Sequence, residues 1–196
     1  MMTTDVRELY RRASEAFGAN VHGATADQWH LPTPCADWDV GALVNHVVGE
    51  NRWAVPLFAG GTIAEVGDRF DGDLLGDDPV TAWDDSATAA VAAVDDPAAM
   101  DRIVHLSFGD FPGSEYALQL FADLLVHGWD LARATGQDES VDPELVTACA
   151  GWFADVAQPY RDAGVVGPRP PIPDGADTSR CRPRANASSI VAIIRS

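Results

Sequence analysis

The residues from Phe121 to Gly136 combine a strongly apolar run with an acid and a histidine four positions apart, and this constrains the chain more than any other feature. Read as a helix, the run puts Asp123 and His127 one above the other on a single face. Phe121, Leu124, Leu125 and Leu131 make the surroundings core-like, so two polar groups there must pair with each other or bind something. Gly136 suits the position that closes such a helix. A second helical stretch, Asp39 to Glu50, sets His46 among Val44, Val47 and Val48. If the two helices pack, His46, Asp123 and His127 converge, and two imidazoles with one carboxylate form a metal-ligand set that leaves room for water or substrate. The bland alternative is a buried hydrogen bond from His127 to Asp123 with no metal, which satisfies both groups equally well.

Helical periodicity continues through most of the chain. Thr3 or Thr4 is placed to cap a first helix carrying Val6, Leu9, Tyr10, Ala13, Ala16 and Phe17, which ends near Gly23. The prolines of Trp29 to Trp38 exclude a helix, so this segment reads as an ordered loop with two aromatic anchors. Asp37 or Asp39 caps the second helix, which runs to about Phe58 before Gly60-Gly61. Residues 62–78 read as irregular, and Pro79 then opens a third helix that stops at Asp95-Asp96-Pro97. Ile103 to Phe108 suits a short strand or an extended link, with a turn at residues 109–113. Ser114 and Glu115 begin the helix that carries Asp123 and His127, and Pro143 opens a last one that fades near Gly164. These amphipathic helices without a strand ladder predict an all-α bundle. The long link between the second and third helices allows them to pack out of chain order. The expected division is a bundle with its metal site over residues 1–165 and a Pro-rich arm with a tail over 166–196.

A formal charge of −17 argues against a nucleic-acid backbone or an anionic membrane as partner. All 13 cationic residues are Arg, which points to biased coding. Three cysteines without a CxxC pair do not form a disulfide framework. There is neither a signal-peptide pattern nor an apolar run of membrane-spanning length, so a cytoplasmic location is expected.

Pro32 to Gly49 and Asp123 to Gln137 together resemble the DinB-like proteins related to the N-terminal domain of mycothiol-dependent maleylpyruvate isomerase, and the likeness extends over roughly residues 5–160. The resemblance implies a DinB-like four-helix bundle with irregular connections and an extended C-terminal tail. It also implies a divalent metal, usually zinc, held by one His on the second helix and an acid-x-x-x-His pair on the third bundle helix. Carried over, these ligands are His46, Asp123 and His127. Two departures stand out. The isomerase has Glu where this chain has the shorter Asp123, and its C-terminal domain, which supplies an arginine for substrate handling, is not expected here.

The function this resemblance implies is a metal-dependent thiol transferase or isomerase-like enzyme. Mycothiol is the candidate cosubstrate and a small electrophile its partner. The alternatives are a non-catalytic metal-binding or sensing bundle, for which a homodimer is one candidate form, and a metal-free bundle with an apolar ligand cleft. Glu50, four residues after His46, is a candidate rival or additional ligand, although its place near the helix end favours solvent or Arg52. Asp130, three residues after His127, is placed to orient an imidazole from behind, and equally well to face Arg133. Cys35 reads as a packing residue before a reactive thiol. Trp38, Trp53, Trp129 and Trp152 are expected in the core, Trp129 being also a candidate pocket wall.

Overall fold

Asp5, rather than Thr3 or Thr4, opens the first helix. In the computed structural model, which describes residues 5–162, α1 spans Val6–Gly23 and the Asp5 carboxylate accepts from the Arg7 amide at 3.1 Å. Asp5 directly precedes the first helical residue, so its short side chain meets an amide that lacks an intrahelical partner. The threonines lie outside the described residues. Ser14 takes the buried place expected of Ala16, which is exposed.

The second helix, α2 (Val40–Phe58), is capped by Asp39 through the Ala42 amide, and the Gly61 amide donates to the Pro56 carbonyl beyond its end. Within the following connection Thr62 and Glu65 form a reciprocal cap on a one-turn helix, α3 (Ile63–Val66). Pro79 then starts α4 (Pro79–Asp95), with Asp78 as its cap.

The segment after α4 corrects the expected turn. Strand β1 (Ile103–Leu106) pairs antiparallel with β2 (Gly109–Pro112), in register from Ile103 opposite Pro112 to Leu106 opposite Gly109. Chain reversal therefore falls at Ser107-Phe108, and Gly109 to Pro112 is strand. A φ of +147° at Gly109 makes this reversal available to glycine.

Helix α5 (Gly113–Thr135) follows directly and has no side-chain cap. Its first amides are satisfied instead by the preceding turn, Gly113 donating to the Arg102 carbonyl and Ser114 to that of Met100. Gly113 is needed because a Cβ there would overlap the Ala99 carbonyl. At the other end Gly136 turns left-handed, with φ +70°, and closes the helix as its sequence position predicts.

Four long helices form an all-α, DinB-like bundle. Helix α1 packs on α5 and α4, while α2 packs on the same two, so the order around the bundle is α1, α5, α2, α4. Packing is out of chain order, as the sequence allowed, but the long α2–α4 link joins neighbours. The diagonal steps are made by residues 24–39 and 96–112.

Tyr10, Phe17 and Val21 from α1, Leu43, Val44, Val47 and Phe58 from α2, Trp83 and Ala90 from α4, and Phe121 and Leu131 from α5 fill the interior. Each large apolar side chain contributes roughly 1.5–3 kcal/mol through burial. One polar chain crosses this core. Tyr10 Oη donates to Asn51 Oδ1 (3.1 Å), Asn51 Nδ2 to Ser86 Oγ (3.2 Å), and Ser86 Oγ to the Trp83 carbonyl (2.9 Å). Every buried dipole along it is satisfied without a charge.

This first compact unit ends at Asp138, and the second begins at Glu139. The described part of the second contains α6 (Pro143–Asp162), along which Leu145, Val146, Cys149 and Phe153 are buried. Burial pushes the Cys149 thiol up to about 12. The predicted Pro-rich arm and tail at residues 166–196 lie outside the described residues.

Candidate metal centre

Helices α2 and α5 are neighbours in the bundle, and their facing sides bring His46, Asp123 and His127 together. The helical step from 123 to 127 stacks the acid under the imidazole, and Asp123 Oδ1 lies 3.2 Å from His127 Nε2. Across the interface, Asp123 Oδ2 lies 3.2 Å from His46 Nε2. One carboxylate thus bridges two imidazoles, one on each oxygen. The rings themselves stand edge to face, 5.1 Å apart between centroids. The pair sits on the fourth long helix of the chain, where the resemblance implied the third.

One donor atom from each of the three residues lies within 4.8 Å of the other two. Donors around a tetrahedral zinc at about 2.0–2.2 Å stand roughly 3.3–3.6 Å apart. The two 3.2 Å spacings run to different oxygens of Asp123, so a shared cation requires the carboxylate to turn one oxygen toward both rings. Solvent reaches the trio, with side-chain exposures of 29% for His46, 32% for Asp123 and 12% for His127. The donor chemistry and the spacing both fit a divalent cation with an accessible position.

Electrostatics within the trio are those of a shared charge. Burial alone would raise the Asp123 carboxyl, but the attraction of His127 and the hydrogen bonds from both rings outweigh it and hold the group well below the usual carboxylate range. Burial likewise opposes charge on His127, and Asp123 reverses that, placing the imidazole well above its ordinary value. His46 moves upward by the same competition. Without a cation, the imidazole protons neutralise the carboxylate.

The loop between α1 and α2 roofs the trio. Pro32 bridges to Asp39, the Thr33 amide donates to the Trp38 carbonyl (3.1 Å), and Asp37 adopts φ +68°, which Asp tolerates better than most residues. These constraints aim Trp38 across both imidazoles, with centroid distances of 4.9 Å to His46 and 5.7 Å to His127. Trp38 is half-buried at the site rather than in the core. Trp53 and Trp152 are also only half-buried, while Trp129 is buried and carries the Arg133 guanidinium 5.2 Å from its ring.

Two residues belong nearer the site than the sequence indicated. Glu50, one turn beyond His46, is half-buried, and burial, with the Asp123 charge second, pushes its carboxyl upward. Arg52, the partner considered for it, donates instead to the Leu74 carbonyl. Cys35 is the other. Its Sγ lies 3.4 Å from Asp130 Oδ2 and 3.7 Å from His127 Nδ1. The i, i+4 step from His46 to Glu50 was the available signal for the first, whereas only the folded loop reveals the second. Asp130 is fully buried behind His127, its Oδ2 3.3 Å from Nδ1. The remaining histidines stay apart from the trio, His22 pairing with Asp84 and His105 with Asp110, while His30 is exposed.

The model of the mycothiol maleylpyruvate isomerase N-terminal domain family matches residues 10–132, which contain all three donors. The chain belongs to this family. The uncharacterized proteins Rv0738 and MT0763, from two strains of Mycobacterium tuberculosis, are each 35% identical over 182 residues, covering 90% of this chain and 91% of theirs. No solved structure gives a significant match. Among the described residues, no helix is long and apolar enough to cross a membrane.

Proposed function

We propose that this member of the isomerase-type family is a thiol-using, metal-dependent enzyme in which His46, Asp123 and His127 hold a divalent cation, zinc being the first choice for two imidazoles and one carboxylate. The convergence of these three side chains at a solvent-reached position between α2 and α5 carries the reading. Family membership supports mycothiol as cosubstrate and a small electrophile as its acceptor. When bound, the cation would favour the thiolate form of a small thiol at neutral pH. The protein's own groups do the rest. The two Nε2 atoms and the Asp123 carboxylate fix the position, and Trp38 packs against both rings. Glu50 offers a carboxylate to receive the proton that an entering thiol gives up.

Metal stoichiometry on wild type and His127→Ala tests the centre, and conjugation of mycothiol with a chlorinated or unsaturated electrophile tests the activity. Stoichiometric zinc lost in His127→Ala, together with zinc-dependent conjugation, is the expected result. Stoichiometric zinc with a large stability gain but no thiol affinity would instead establish a non-catalytic metal-binding bundle.

A further inference from the structure

Behind the donor trio lies a second layer made by residues distant in sequence. We infer that Asp130 is a positioning residue, whose Oδ2 holds the His127 ring with its proton on Nδ1 and its Nε2 turned toward Asp123 and His46, while Cys35 braces that same oxygen. The inference rests on the metal reading above and assigns residues beyond its three donors.

The geometry is specific. Asp130 Oδ2 lies 3.3 Å from His127 Nδ1, and Cys35 Sγ donates to it at 3.4 Å. When a cation takes the place of the Nε2 proton, the neutral ring keeps one N–H, and a carboxylate at Nδ1 holds it there, leaving the Nε2 lone pair on the side that faces Asp123. Asp130 has zero exposure, and a carboxylate in the core is retained only where hydrogen bonds hold it. The i, i+3 step along α5 sets it against His127, and the loop before α2 delivers the thiol from the other side. The same three side chains also form a compact donor group of their own, with Cys35 Sγ, His127 Nδ1 and Asp130 Oδ2 within 4.8 Å of one another. A cation there would take the nitrogen that the positioning role keeps protonated, so the two arrangements exclude each other.

The test measures zinc affinity by competition with a chromogenic chelator for wild type, Asp130→Asn and Cys35→Ser. Thermal melting of each metal-free protein accompanies it, as does nitrogen-15 NMR of the His127 ring in zinc-loaded wild type. The expected spectrum has the proton on Nδ1 and the metal on Nε2. Asp130→Asn should weaken zinc binding by about 10- to 100-fold. Cys35→Ser keeps a hydroxyl donor and should stay within about threefold.

Zinc on Nδ1 of wild type overturns the inference, as does an Asp130→Asn affinity within about twofold of wild type. So does a thiolate charge-transfer band in the cobalt-loaded protein that Cys35→Ser abolishes, since that places the cation on the Cys35 side. If Asp130→Asn does not fold, the wild-type spectrum decides alone. Wild type without stoichiometric zinc defeats the metal reading and this inference with it. Zinc-binding wild type with an unaffected Asp130→Asn defeats the inference alone.

Discussion

Replacing Asp123 by Asn keeps the shape of the side chain and removes the charge that bridges His46 and His127, so it separates a metal centre from a merely hydrogen-bonded trio. In the metal-free protein the lost interactions are two charge-assisted hydrogen bonds at 3.2 Å. Such bonds contribute about 1.5–3 kcal/mol each when well buried. Asp123 is 32% exposed and Asn retains part of the bonding, so a total of about 1–2 kcal/mol is expected. For a chain of this size that is a fall in Tm of about 2–8 °C.

The pH must be chosen with the signs in view. Asp123 is depressed in the folded state, so its contribution is present above an unfolded value of about 3.9 and fades as pH falls through the folded one. His127 is raised, so its contribution is complete below about pH 6.5 and fades as pH rises through its folded value. Both are present at about pH 5.2, midway between the two unfolded values, which is where the metal-free variants should be compared. Zinc at about 100 times Kd, added at neutral pH, should then stabilise wild type by about 2.7 kcal/mol. Asp123→Asn, with affinity lowered about 100-fold, should gain only about 0.4 kcal/mol at the same concentration. Equal zinc shifts in the two proteins by differential scanning calorimetry would refute the assignment of Asp123 as a donor.

Other consequences are as direct. Because His127 and His46 are raised toward the imidazolium form, zinc binding at neutral pH should release at least one proton, and calorimetry in buffers of different ionisation enthalpy should count it. Tyr10→Phe leaves Asn51 Oδ1 without its donor in the core and should cost about 1–3 kcal/mol in urea unfolding, with zinc affinity unchanged. Gly113→Ala drives a methyl into the Ala99 carbonyl at the start of α5 and should destabilise by more than about 2 kcal/mol, read as a lower urea midpoint.

What could be read in advance followed from local rules. Helix boundaries at Pro79, Phe58 and Gly136 came from proline, the paired glycines and the left-handed stop, all of which act within a few residues. The trio was legible because polar groups in an apolar helix face demand partners. Other features depend on tertiary placement. Trp38 resembles a core residue in sequence, and only the positive φ at Asp37 and the Pro32–Asp39 bridge put it over the imidazoles. Glu50 looked like a surface charge because periodicity alone cannot say how far the bundle's interior reaches along α2. The hairpin at 103–112 was half missed because its two strands are short and its reversal is carried by Ser107-Phe108 rather than by the expected Gly-Pro stretch.

The order of helices around the bundle bears on how the chain emerges from the ribosome. Helix α1 shares no substantial face with α2, so the first two helices leave the exit tunnel with apolar stripes that have nothing of their own to cover until α4 follows. His46 is translated long before Asp123 and His127 exist, and the trio forms only when α5 docks. A cation held by all three would therefore report an assembled four-helix bundle, and nascent chains truncated before α5 should bind it no better than unfolded protein does.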